Sequence, residues 1–275
     1  MKRKPLLQAV SVALGLILNA SSVLAMETEN HPKVTTELEE KALALKPDID
    51  NGRKIYEMCA VCHGPDGWGT PSGRYPQIAG QHYNVIIKQL ADIRAGNRDN
   101  PTMYPFTLPK VLGDAQDLAD VAGYITQLPM SPFNDVGPGF DLAYGEELYK
   151  EHCEECHGKE GEGNNEEFYP RIQGQHFTYL LRQMRWIQIE KRRNADKTMV
   201  KQIHRFSGRD IHSVIDYTSR LRPPADKVAK PGWRNQDFPD GFISVPRGFV
   251  EGPWWDPTWG PHPQWVPMAP IPMIE

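Results

Sequence analysis

Four cysteines occur in the 275 residues, and each belongs to a Cys-x-x-Cys-His run: Cys59-Ala60-Val61-Cys62-His63 and Cys153-Glu154-Glu155-Cys156-His157. Residues three apart share one face of a helix. Each pair of thiols can therefore add to two vinyl groups along one edge of a porphyrin while the adjoining histidine comes up beneath its iron. Gly64 and Gly158 follow the histidines, where the chain must turn away close to the macrocycle. Two other chemistries use such pairs. An exported chain could oxidise each pair to a disulfide, and zinc modules bring cysteine pairs together, though usually over roughly 15–20 residues. Here the pairs are 94 residues apart with no cysteine left over. Covalent attachment of two haem c groups uses every cysteine and both histidines.

The elements that must carry these runs repeat with them. The offset of 94 returns Tyr75-Pro76-x-Ile78-x-Gly80-Gln81-His82 as Tyr169-Pro170-x-Ile172-x-Gly174-Gln175-His176, as a duplicated unit requires. After each block the apolar positions keep one helical stripe: Tyr83, Ile86, Ile87, Leu90 and Ile93, then Phe177, Leu180, Leu181, Met184 and Ile187. A helix carrying Gly52, Ile55 and Tyr56 leads into the first haem motif, and one carrying Gly145, Leu148 and Tyr149 into the second. Late helices follow at Leu118, Val121, Ala122 and Ile125 and at Ile211, Val214, Ile215 and Thr218, with Asp114 and Ser207 or Asp210 as N-caps. No alternating strand pattern stands out. The expected fold is all-α, two tandem units each built around one haem that replaces much of an otherwise small apolar core.

The second axial position decides whether an iron binds substrate or only exchanges electrons. Each unit has a Thr-Met in a turn-rich segment between its long and last helices, at Met103 and at Met199. A lone methionine more often fills a gap in packing, but matched positions in a repeat favour ligation. Met103 and Met199 are assigned as sixth ligands, with His204 the rival in the second unit. His82 and His176 are read as helix-start residues near the surface. Iron held on both faces has no open position for a peroxidase or oxygenase reaction.

With these residues in place, the chain resembles a di-haem class I cytochrome c of the cytochrome c4 type from about residue 46 to about residue 222. The resemblance implies two class I domains related by an approximate two-fold axis, with electrons passed toward terminal oxidases. It also implies that the carbonyls of Pro76 and Pro170 accept hydrogen bonds from His63 and His157, which would hold each ring in one tautomer. The chain departs from the pattern in a residue fewer between Tyr56 and the first motif, a basic loop in the second domain and a long tail after Pro223.

The flanking segments complete the expectation. Lys2, Arg3 and Lys4, the apolar stretch from Leu6 to Leu18, and Val23-Leu24-Ala25 read as a cleaved signal peptide over residues 1–25. That places the protein in the periplasm, with at most peripheral membrane association through a partner. An N-terminal extension (26–45), domain 1 (46–130), a linker (131–140), domain 2 (141–222) and an irregular Trp/Pro-rich tail (223–275) follow. The formal charge of −4 becomes −7 once the three basic leader residues are removed, which speaks against nucleic-acid binding. Domain 2 is lopsided: residues 146–167 hold nine acidic and two basic side chains, residues 182–209 nine basic and two acidic. The basic run is a candidate for steering an acidic partner. Five tryptophans from Trp233 to Trp265 alternate with prolines and glycines, so the tail is expected to lack helix and to pack on the chain's own domains or, as the second reading, on a partner protein. These features predict a non-enzymatic electron carrier between respiratory redox partners. The alternative is the cytochrome subunit of a dehydrogenase, such as a sulfide-oxidising flavocytochrome.

Overall fold

The computed structural model describes residues 36–239 and Phe242. The expected signal peptide and Trp254, Trp255, Trp259 and Trp265 lie outside the described residues. Among those described there are helices and no strand, only isolated bridges between Met130 and Val228 and between Asn164 and Tyr169. The first unit contains α1 (Glu37–Leu43), α2 (Ile49–His63), α3 (Tyr83–Ala95), α4 (Tyr104–Thr107), α5 (Pro109–Leu112) and α6 (Ala115–Gln127). The second contains α7 (Leu142–His152), α8 (Glu154–His157), α9 (Phe177–Gln188), α10 (Lys197–His204) and α11 (Gly208–Thr218).

Each haem motif is delivered by a helix that crosses the last helix of its unit. Asp48 starts α2 by accepting from the N–H groups of Asp50 and Asn51. The crossing with α6 is made at Gly52, where a Cβ would lie 2.1 Å from the carbonyl oxygen of Asp120. Gly145 of α7 meets Ser213 of α11 at the same 2.1 Å. Any side chain at either place would push the helices apart. The expected caps of the last helices form: Asp114 accepts from Gln116, and Ser207 and Asp210 bond each other's N–H groups as a capping box.

The two apolar stripes form two separate cores. Ile86, Ile87 and Leu118 join Tyr56 and Tyr124 in the first, and Leu180, Met184 and Val214 join Tyr149 in the second. Fully burying a side chain of this size stabilises the fold by about 1.5–3 kcal/mol, so a handful of such residues defines each unit. Helix α1 belongs to the first core as well, packing on α3 and α6 with Ala42 fully buried. Part of the stretch read as an extension before domain 1 is thus an element of its packing.

Three details depart from the expected picture. The segment around Met199 is not a loop: Asp196 accepts from the N–H groups of Thr198 and Met199 and starts α10. In the first unit Pro101, Pro105 and Pro109 divide the corresponding stretch into the short α4 and α5. The linker is fastened to the second unit: Asn134 donates to the carbonyls of Gln175 and Ser219, and Gly139 N–H to Asp216. The tail, expected to pack on the chain's domains, folds over the first unit as far as it is described. Trp233 stacks near Trp68 at 5.9 Å, Asn235 donates to the carbonyl of Pro65 at 2.7 Å, and Phe238 is buried against Tyr56.

Candidate haem sites and the surface between them

Cys59 and Cys62 lie one turn apart in the last stretch of α2, immediately before His63. In the second unit the helix breaks at Cys153 (φ −121°, ψ −36°), and α8 carries Cys156 and His157. The break has a sequence cause. Cys59 is the third residue after Tyr56 and Cys153 the fourth after Tyr149, and the extra residue is absorbed at Cys153. The anchoring survives the insertion: Tyr56 donates to the Gly64 carbonyl at 2.7 Å, and Tyr149 to that of Gly158 at 2.6 Å. Both glycines have φ near 80°, a left-handed conformation that costs other residues more.

Both histidines are buried, and each presents Nδ1 to a proline carbonyl at 3.0 Å, His63 to Pro76 and His157 to Pro170. Burial lowers the pKa of each imidazole and outweighs the carbonyl contact, which raises it. A neutral ring with Nδ1–H engaged has Nε2 available as a donor atom, the form in which imidazole binds iron. None of the four cysteines is paired in a disulfide, and Cys59 and Cys153 pack against their cores. The set fits a covalently bound haem: two thiols on one edge, a neutral imidazole beside them, and an apolar wall behind.

Met103 is half-buried and precedes α4; Met199 is half-buried in α10 and packs against the second core. His204, its rival, is exposed at the end of α10. His82 and His176 do begin helices, α3 and α9. The surface placement fails for His176, which is 3% exposed. Its Nε2 lies 2.8 Å from the carbonyl oxygen of Trp68, and His82 Nε2 lies 2.7 Å from that of Glu162. Trp68 and Glu162 are themselves 94 residues apart, so the repeated His makes the same contact with the opposite unit in both directions.

Reciprocal contacts of this kind recur across the surface between the units. Gln175 Nε2 donates to the carbonyl of Gln77 (2.8 Å) and its Oε1 accepts from Gln77 N–H (3.0 Å). Gln81 does the same to Arg171, at 2.9 Å for both bonds. Arg98 and Arg192 each donate to Gln89 and to Gln183 at 2.9–3.0 Å. Desolvation, with the neighbouring Arg98, pulls the Arg192 guanidinium down to about 9. Arg182 and Arg193 also reach the first unit, at the carbonyls of Gly73, Arg74 and Gly96. Part of the basic run therefore joins the units, while Lys191, Lys197, Lys201 and Arg205 remain exposed. Sequence reasoning missed this surface. The signal was the polar Gly-Gln-His triplet at the same register in both copies, without a role inside either unit.

The arrangement matches known proteins over both halves. Residues 49–129 match the cytochrome c family, and residues 140–217 match the family described as cytochrome C oxidase, cbb3-type, subunit III. Cytochrome c4 of Azotobacter vinelandii is 31% identical over 190 residues, covering 63% of this chain and 89% of the relative. The thiosulfate dehydrogenase electron acceptor of Stutzerimonas stutzeri is 28% identical over 198 residues, covering 65% and 90%. The crystal structure of reduced recombinant cytochrome c4 from Pseudomonas stutzeri superposes with a TM-score of 0.57 at 28% identity, covering 64% of this chain and all of that one.

Proposed function

The chain belongs to the cytochrome c4 family and carries two covalently attached haem c groups, and from that premise we propose that it is a periplasmic carrier that moves electrons between respiratory redox partners without transforming a substrate. The observation that carries this reading is the pair of equivalent histidines, each with Nδ1 at 3.0 Å from a proline carbonyl. The haem supplies one-electron exchange at its iron. The chain supplies attachment through Cys59, Cys62, Cys153 and Cys156, proximal ligation by His63 and His157, and ring orientation by the Pro76 and Pro170 carbonyls. Met103 and Met199 complete the coordination in this proposal. The exposure of His204 and the packing of Met199 against the second core support the choice in domain 2. Thioether ligation favours the ferrous state and closes the iron to substrate.

Among the described residues no helix is long and apolar enough to cross a membrane. Export by the signal peptide of residues 1–25 and a periplasmic place for the protein are part of the same proposal. The proposed domains remain 46–130 and 141–222, with α1 packed on the first as an added element. A terminal oxidase is the proposed acceptor. A dehydrogenase is the second candidate partner, favoured by the relative named a thiosulfate dehydrogenase electron acceptor.

The deciding measurement is the absorption spectrum of the oxidised and reduced protein with a haem count. Two haems per chain, a low-spin ferric form with the methionine-to-iron charge-transfer band, and no reaction with carbon monoxide are expected. A high-spin ferric form, or ready carbon monoxide binding at either iron, would replace the carrier reading with a catalytic one. Co-purification of a dehydrogenase would favour the subunit role over the free shuttle.

A further inference from the structure

Resting on the reading of His63 and His157 as proximal ligands, we propose that each is tuned by a glutamine of the opposite domain: Gln175 acts on His63, and Gln81 on His157. The connection is a single peptide unit. The oxygen of the Pro76–Gln77 peptide lies 3.0 Å from His63 Nδ1, and the N–H of that same peptide donates to Gln175 Oε1 at 3.0 Å. In domain 2 the Pro170–Arg171 peptide lies 3.0 Å from His157 Nδ1 and donates to Gln81 Oε1 at 2.9 Å. Oxygen and N–H of a peptide are conjugated. A hydrogen bond given by the N–H places more negative charge on the oxygen, so the two bonds strengthen one another. A stronger acceptor at Nδ1–H makes Nε2 a stronger donor to iron and favours the ferric state.

The glutamines are built to hold this arrangement. Each amide also donates through Nε2, Gln175 to the Gln77 carbonyl and Gln81 to the Arg171 carbonyl. Exchanging amide N and O would set donor against donor and acceptor against acceptor, so only one orientation satisfies both bonds. Gln175 and Gln77 are 7% and 4% exposed, which leaves little room for water to substitute. Gln81 and Gln175 are positioning residues: they touch neither histidine, and each acts on the iron of the other domain.

A purely structural role for these glutamines would disturb both haems alike or neither. The test uses the full chain with its haems, measuring each reduction potential, assigned to a domain by paramagnetic proton NMR, together with the ring N–H resonances of the two histidines. Gln175→Met is expected to raise the potential of the domain 1 haem, shift the His63 ring N–H and leave domain 2 unmoved. Gln81→Met is expected to do the reverse. Gln175→Glu, which keeps the side-chain length and the acceptor, is expected to lower the domain 1 potential, and it decides the matter alone if the methionine variant fails to fold. Equal shifts at both haems, a shift confined to the variant's own domain, or no shift overturns the proposal. Absence of hyperfine-shifted ring N–H resonances in the unsubstituted protein overturns the histidine assignment and this proposal together. Their presence alongside unmoved potentials overturns this proposal alone.

Discussion

The two domains place the same side chains around their haem motifs and support them by different means. Domain 1 runs its motif on one unbroken helix, α2, adds α1 to its core, and is covered by Trp233, Asn235 and Phe238 of the tail. Domain 2 interrupts the helix at Cys153 and carries acidic and basic surface runs. Met58 and Val61 are exposed beside the first motif, where domain 2 has His152 and Glu155. What stays constant is narrower than either fold: a tyrosine on the glycine carbonyl, a proline carbonyl on the histidine, and a glutamine from across the interface. A duplicated unit can change its helix breaks, cover and charge while those three contacts are kept.

The largest way to separate the domains acts through the tail. Phe238 is buried between Tyr56 and Phe242, at ring distances of 6.0 and 4.8 Å. Replacing a buried phenylalanine by alanine costs about 3–5 kcal/mol. Phe238→Ala is expected to lower the unfolding temperature of domain 1 and spare domain 2, read by calorimetry or by loss of each haem's spectrum on heating. Truncation after Arg222 should do at least as much. If both domains soften equally, the tail is not a domain 1 element.

A second difference lies on the long helices. Lys88 of α3 is 2.8 Å from Asp92 and 4.0 Å from Glu39, two carboxylates inside domain 1. The corresponding residues of α9 are Arg182 and Trp186, with the guanidinium 5.7 Å from the ring centroid. Stripping the partner from a buried charge costs about 3–5 kcal/mol, and Asn97 and Asn194, which also donate to Asp92, hold the loss toward the lower figure. Lys88→Met should therefore destabilise domain 1 by about 3 kcal/mol in denaturant titration, with the domain 2 transition unchanged.

The hydroxyl contacts should instead reveal likeness. Tyr56→Phe and Tyr149→Phe each remove the hydroxyl donor from a glycine carbonyl that keeps a backbone bond, from Gly67 N–H at 3.1 Å and from Gly161 N–H at 3.2 Å, a loss of about 0.5–1.5 kcal/mol. Near-equal losses, each confined to its own domain, are expected. A loss in domain 1 alone would mean that the break at Cys153 has already relaxed the second site.

Much of this was legible in the sequence because periodicity and spacing record what a residue does within its own unit. The haem motifs, the apolar stripes of α3 and α9, and the caps at Asp114 and Ser207 were readable for that reason. Helix α10 was not, since Asp196 acts as a cap only once the absence of prolines lets the turn continue. The glutamines had no visible role and His176 was placed at the surface for a different reason: their partners lie between 80 and 110 residues away in the chain, on backbone atoms, which have no signature in residue types. The tail's cover of domain 1 was legible as aromatic excess but not as an address, because an apolar surface leaves no mark in the sequence of the segment that will bury it.

The smallest expected effect tests whether the helix break matters at all. Deleting the exposed Glu151 gives domain 2 the three-residue spacing between tyrosine and cysteine found in domain 1. Gly145 and Gly52 make equivalent crossings, each with a Cβ position 2.1 Å from a carbonyl of the last helix. A continuous helix should therefore deliver Cys153, Cys156 and His157 to the same places, because α2 already does so under that constraint. Haem attachment in domain 2 should persist, with stability changed by no more than about 1 kcal/mol, as for surface changes remote from core and caps. Loss of the second haem from the purified variant would show instead that the inserted residue is required by the surroundings of domain 2, and that the two motifs are not interchangeable.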